Sequence, residues 1–287
     1  MKTGKLTKQI VEAAVMVALA TVLSLFKLVE MPYGGSVTLA SMLPILIVSY
    51  RHDIKIGLMA GATYSVIQQL LGLNTLSFFT TWYSILAIIL IDYILAFTVV
   101  GLGGIVKGRM GIKNLSSPAK QKVEIATGMA LVCVLRFVCH TVCGATVWAG
   151  LSIPTSAALL YSIGYNATYM IPETIISVLI GAWIGEIIDF SRDIPVRFSL
   201  SEYSKAAANG DACKVLPHIS SFLLVFAACF DTVLIAPHMQ DGESGEFTFS
   251  NFAQVNWTLI IVVSALCIAA AAVLYAVYRK LSKDRKA

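Results

Sequence analysis

What most constrains this chain is the length and frequency of its apolar runs. Eight stretches read as membrane-embedded helix: Ile10–Leu28, Val37–Tyr50, Ile56–Leu73, Trp82–Val106, Val123–Gly150, Leu159–Ile188, Val215–Ala236 and Trp257–Tyr278. A bilayer-crossing helix needs about 20 predominantly apolar residues, and all its backbone polar groups must be satisfied within the segment, which excludes an open sheet. With 57% apolar residues, 13% charged and a mean hydropathy of +0.80, the chain has more apolar surface than a soluble domain of 287 residues can bury. The expected fold is an all-α integral membrane protein. Lys2, Lys5 and Lys8 precede the first run as in a signal peptide, but no small-residue cleavage pattern follows, so the run is read as a true span.

Charge orients the spans. With the N-terminus inside, segments 1–9, 51–55, 107–122, 189–214 and 279–287 are internal and carry 19 of the 21 Lys and Arg residues, leaving out only Lys27 and Arg136. Inner loops retain positive charge, so a multi-pass protein of the cell membrane with both termini cytoplasmic is expected. The outer loops are then Met31–Ser36, Asn74–Thr81, Leu151–Ala158 and the acidic Asp241–Asn251. The pI of about 8.8 describes inner loops facing anionic lipid, not a nucleic-acid surface.

The six cysteines form no CxxC pair and mostly fall within spans, as packing thiols do. No GxxxxGK[ST] phosphate loop is present, so the chain has no nucleotide motor of its own. No metal site and no cofactor are expected: a Cys139/Cys143/His140 zinc site on one helix has no evident fourth ligand.

Ionisable groups at membrane depth are costly and mark candidate sites; here they are Asp92, Arg136, His140, Glu173 and Asp231. Asp92 and Arg136 sit at similar depth, so an ion pair joining two helices is one reading, favoured for Arg136; Asp92, an acid followed by Tyr93, reads more as a binding group. In LRFVCHTVCGATVWAG, residues Arg136, His140, Gly144 and Trp148 recur every four positions and form one gently drifting stripe. As a pocket wall, it offers an imidazole, a gap in side-chain bulk and an indole face that attracts cations. As scaffold, it is a small-residue helix contact beside an interfacial Trp.

Four segments, MPYGGSVTLASMLPILI (31–47), IDYILAFTVVGLGG (91–104), LRFVCHTVCGATVWAG (135–150) and YSIGYNAT (161–168), together resemble the thiamine-specific S component of energy-coupling factor transporters. The resemblance spans about the first 190 residues. It rests on the His-x3-Gly-x3-Trp stripe, a Tyr thirteen residues beyond the Trp and an Asn five beyond that Tyr. It implies a six-helix bundle that captures thiamine from outside and associates with a transmembrane coupling subunit and two ATPases. By position it implies substrate contacts from Asp92, Tyr93, His140, Gly144, Trp148, Tyr161 and Asn166, with loop 33–36 over the site. Asp92 stands where some relatives carry Glu. Ala14 and Ala18, a small-xxx-small pair, match the face that contacts the coupling subunit. The chemistry is compatible: a thiazolium cation and a flat aminopyrimidine ask for aromatic faces, an anionic acceptor and a few neutral hydrogen-bonding groups.

The resemblance divides the chain into a core (1–190), a cytoplasmic linker (191–214) and a two-span C-terminal extension (215–287) without counterpart. That extension reads as an appendage, a partner-binding hairpin or a clamp against the core. Two other readings are weighed. A proton-coupled carrier of an organic cation has Asp92, His140 and Glu173 for a relay, but one half of the chain does not repeat the other. An S component for a different vitamin remains open. An enzyme would need a base and orienting acid beside the His-Cys cluster, and none lies in sequence reach.

Overall fold

The computed structural model describes residues 2–112, 117–148, 155–198, 211–239 and 248–283. The expected loops 151–158 and 241–251 and the linker 191–214 lie partly outside them, as does the fifth span's end at Gly150.

Helix α1 (Lys2–Leu25) leads into an antiparallel hairpin, β1 (Lys27–Glu30) and β2 (Ser36–Thr38). Then come α2 (Leu43–Arg51), α3 (Ile54–Leu71), α4 (Trp82–Val106), α5 (Ser117–Thr146) and α6 (Ser156–Ile187). A small hairpin of β3 (Ile188–Asp189) and β4 (Val196–Arg197) follows, then α7 (Asp211–Ile235) and α8 (Trp257–Lys283). Six of these helices, α1 and α4 to α8, are long and apolar enough to cross a membrane. The chain is mostly helical, as expected, and among the described residues β pairing is confined to these two short hairpins.

The second expected span needs correcting. Helix α2 has nine residues, about 14 Å of rise, and cannot cross the hydrocarbon core. The residues before it, 36–42, are extended or in turns and most of them are buried, with Ala40 in the left-handed region at φ 57°. Non-helical backbone at membrane depth survives only inside protein, and residues Leu43 to Tyr50 of α2 are all buried. Side chains substitute for the missing helical bonds: the Glu173 carboxylate accepts from the Thr38 N–H at 2.5 Å and from its hydroxyl at 2.8 Å.

Small residues let the core helices touch. A Cβ on Gly57 of α3 would sit 2.5 Å from the Gly101 carbonyl oxygen of α4, so only glycine fits that crossing. One end of the bundle is tied by Arg51, which pairs with Glu12 of α1 and donates to the carbonyls of Phe190 (3.0 Å) and Arg192 (3.1 Å), while Lys8 pairs with Asp193 at 2.5 Å. The other end holds the β1–β2 hairpin and a cavity beneath it.

Candidate functional site

The cavity has a volume of about 1190 Å³, and all seven residues singled out from the sequence line it: Asp92, Tyr93, His140, Gly144, Trp148, Tyr161 and Asn166. They come from α4, α6 and α5 with the turn just after it, which meet under the hairpin.

Asp92 and Tyr93 project from a π-helical turn, Ile89–Leu95, inside α4. Such widened turns admit an extra residue and often mark functional positions. The Asp92 carboxylate lies 2.6 Å from His140 Nδ1, with both side chains largely buried. A carboxylate only accepts, so Nδ1 donates in this pair, while Nε2 is buried with no hydrogen-bond partner. The Asp92–Arg136 pair is thereby corrected. Arg136 instead places its guanidinium 4.3 Å from the Phe97 ring centroid and donates to Met42 Sδ at 3.2 Å. Depth alone does not choose partners; rotation about the helix axis does, and the π-turn changes that rotation.

Tyr93 donates to the Gly72 carbonyl (3.2 Å) and meets Thr75 Oγ1 at 3.1 Å, which holds the 3-10 segment Leu73–Phe78 against the cavity wall. Asn166 donates to the Ser162 carbonyl (2.8 Å) and accepts from Tyr169 Oη at 2.6 Å. Tyr161 stands at the rim, 55% exposed. Gly144 answers both readings of the stripe: it lines the cavity, yet a Cβ there would lie 2.3 Å from Ser162 Oγ, so its missing side chain admits helix α6. Trp148 falls two residues past the end of α5, held by a bond from its N–H to the Cys143 carbonyl at 3.3 Å.

Around Trp148 the rings form a shell that the sequence reading largely missed. Its centroid is 5.5 Å from Tyr33, 5.7 Å from Phe78 and 4.7 Å from Phe79. Tyr33 continues to Tyr165 (6.1 Å), and Tyr165 to Tyr169 (5.7 Å). Tyr165 and Tyr169 follow Tyr161 at intervals of four, a spacing that could have been read. Tyr33 gives no such signal: it adopts φ 66°, costly for a non-glycine residue by about 1–3 kcal/mol, and is held there by the rings around it. Gly35 is equally constrained, since a Cβ would meet the Tyr169 ring at 2.7 Å, so the glycine pair is packed into the site rather than free in a turn. Among the described residues, no group of three His, Cys, Asp or Glu side chains is placed to hold a metal ion.

Residues 10–187 match the model of the thiamine transporter protein family (Thia_YuaJ). The chain belongs to this family. Its members are transporters, not enzymes. The thiamine transporter ThiT of Bacillus subtilis (strain 168) is 29% identical over 183 residues, which cover 63% of this chain and 91% of that protein. A solved structure of ThiT from Listeria monocytogenes aligns with a TM-score of 0.49 at 21% identity, covering 63% of this chain and 95% of the other. The family match ends at Ile187, so the two C-terminal helices lie beyond it.

Proposed function

We propose that this chain is the substrate-capturing subunit of a thiamine uptake system, working with an energy-coupling factor module of one transmembrane coupling subunit and two ATPases. The observation that carries the reading is the convergence of Asp92, His140 and the Tyr33–Trp148–Tyr165 ring shell on one cavity. An anionic group beside aromatic faces suits a permanent cation with flat rings. Tyr93, Gly144, Tyr161 and Asn166 complete the proposed contact set. At about 1190 Å³ the cavity exceeds the roughly 300–1,000 Å³ of most small-molecule sites, so one vitamin would leave part of it to water.

Ala14 and Ala18, both exposed on α1, form the proposed face for the coupling subunit. The proposed topology has both termini cytoplasmic: the Lys8–Asp193 and Arg51–Glu12 pairs gather the start of α1, the end of α2 and the segment after α6 at one end. In this reading residues 1–190 are the capturing core, 191–214 a linker and 215–287 an extension.

Calorimetric titration of the purified full-length protein with thiamine, riboflavin and other vitamins tests the proposal. Thiamine binding without ATP, weakened in Trp148→Ala, supports it; binding of a different vitamin alone reassigns the substrate, and binding of none overturns the class. Vesicle uptake that stops with an ATPase inhibitor but survives a protonophore supports the coupling module over a proton-driven carrier.

A further inference from the structure

The hairpin that roofs the cavity is held from two sides. On one, Glu173 of α6 accepts from Thr38, as described above. On the other stands the C-terminal extension, outside the family match. Helix α7 runs along α6 and reaches β1. The 3-10 turn that follows it, Ala236–Met239, buries Ala236 and Met239 in one apolar cluster with Met31 and Val37 of the hairpin and Tyr169 and Met170 of α6. Met31, which also lines the cavity, and Val37 are only 3% and 1% exposed, so the hairpin is closed over where it meets the extension.

The extension is itself anchored. The Met239 carbonyl accepts from the Thr248 N–H at 3.1 Å, and the Phe249 ring lies 3.7 Å from where a Cβ on Gly164 of α6 would stand. At membrane depth the Ser264 hydroxyl of α8 lies 2.7 Å from the Asp231 carboxylate of α7. Toward the other end, Trp183 Nε1 of α6 donates to His218 Nδ1 at 3.3 Å. Contacts with α6 near both ends, and the bond that joins α8 to α7 between them, make the two added helices a fixed neighbour of the hairpin rather than a loose appendage.

We infer that the extension is a built-in brace for the roof of the site, with Ala236 and Met239 as positioning residues that hold the Lys27–Thr38 hairpin closed and slow the exchange of ligand with the cavity. The identity of that ligand rests on the thiamine reading above; the brace does not. Removing the bulk of one large apolar side chain from a packed cluster weakens it enough to shift a local opening equilibrium by about tenfold or more.

The test uses the full-length protein in nanodiscs, comparing wild type with Met239→Ala, Ala236→Ser and a control, Leu266→Ala, whose side chain is exposed on the extension. Ligand-free amide exchange is followed in the hairpin, in α5 and in α7–α8, and thiamine dissociation by stopped flow. The brace predicts about tenfold faster hairpin exchange and thiamine release in Met239→Ala, the same direction in the milder Ala236→Ser, and no change in α5 or in the control. Unchanged hairpin exchange in both variants overturns the brace. Faster hairpin exchange with unchanged thiamine release overturns its role in ligand exchange. If wild type binds no thiamine, the substrate reading fails while the exchange comparison still decides the brace.

Discussion

Asp92→Asn probes the polar end of the cavity with a near-isosteric change. In the ligand-free protein, the Asn carbonyl still accepts from His140 Nδ1, so a charge-assisted hydrogen bond of about 1.5–3 kcal/mol becomes a neutral one of about 0.5–1.5 kcal/mol. Both partners are mostly buried, with side chains 17% and 9% exposed, so screening removes little of this difference. Stability should fall by about 1 kcal/mol. Ligand binding loses more. A thiazolium cation about 5 Å from the carboxylate gains about 3 kcal/mol at an effective dielectric near 20, and that attraction disappears with the charge. Affinity for thiamine should therefore drop about 30- to 150-fold, the equivalent of roughly 2–3 kcal/mol. Calorimetry gives the affinity and a ligand-free melting curve the stability. A dissociation constant within threefold of wild type would refute the assignment of Asp92 to the substrate. Adding Arg136→Gln should not restore the melting temperature, because Arg136 rests on Phe97 rather than on Asp92.

Three further outcomes are expected. Gly144→Ala places a methyl group 2.3 Å from Ser162 Oγ and should cost about 1–3 kcal/mol by overpacking, largely recovered by adding Ser162→Ala; melting curves that show no recovery would mean the glycine does not serve the α5–α6 contact. Glu173→Gln leaves one acceptor oxygen where Thr38 uses two, and should lower stability by about 1.5–3 kcal/mol and speed amide exchange at Thr38; an unaltered exchange rate there would contradict the anchoring role. Changing Ala14 and Ala18 together to Trp should leave thiamine binding intact but abolish uptake and co-purification with the coupling module; normal transport by this variant would move the docking face elsewhere.

The helical fold and the residues that line the cavity were legible in the sequence, and the local geometry around them was less so. His140 and Gly144 were legible because helical spacing puts them on one face, and Asp92 because an acid at membrane depth is costly to keep without a task. The partner of Asp92 was not legible: apolar spacing in IDYILAF does not reveal the π-turn that redirects its side chain. Segment 37–50 looked like a short span since hydropathy measures apolarity and not backbone conformation; it is extended for its first part and helical only from Leu43. The ring shell was hidden by a different effect. Phe78 and Phe79 lie in a loop between spans, where aromatic residues are ordinary, and only the fold brings them to Trp148. Tyr33 belongs to a glycine-rich turn in which no spacing rule points inward, and its left-handed backbone is imposed by packing from distant segments.

The half-length α2 also bears on how the protein is made. Nine helical residues are too few to partition into lipid as an independent unit, and the strand before them carries backbone groups that hydrocarbon cannot satisfy. Residues 27–51 therefore enter the bilayer as passengers between α1 and α3. Thr38 gains its acceptor only when α6 delivers Glu173, 135 positions later in the chain. Synthesis thus runs ahead of closure, and the cavity is completed only once the sixth helix has left the ribosome and docked.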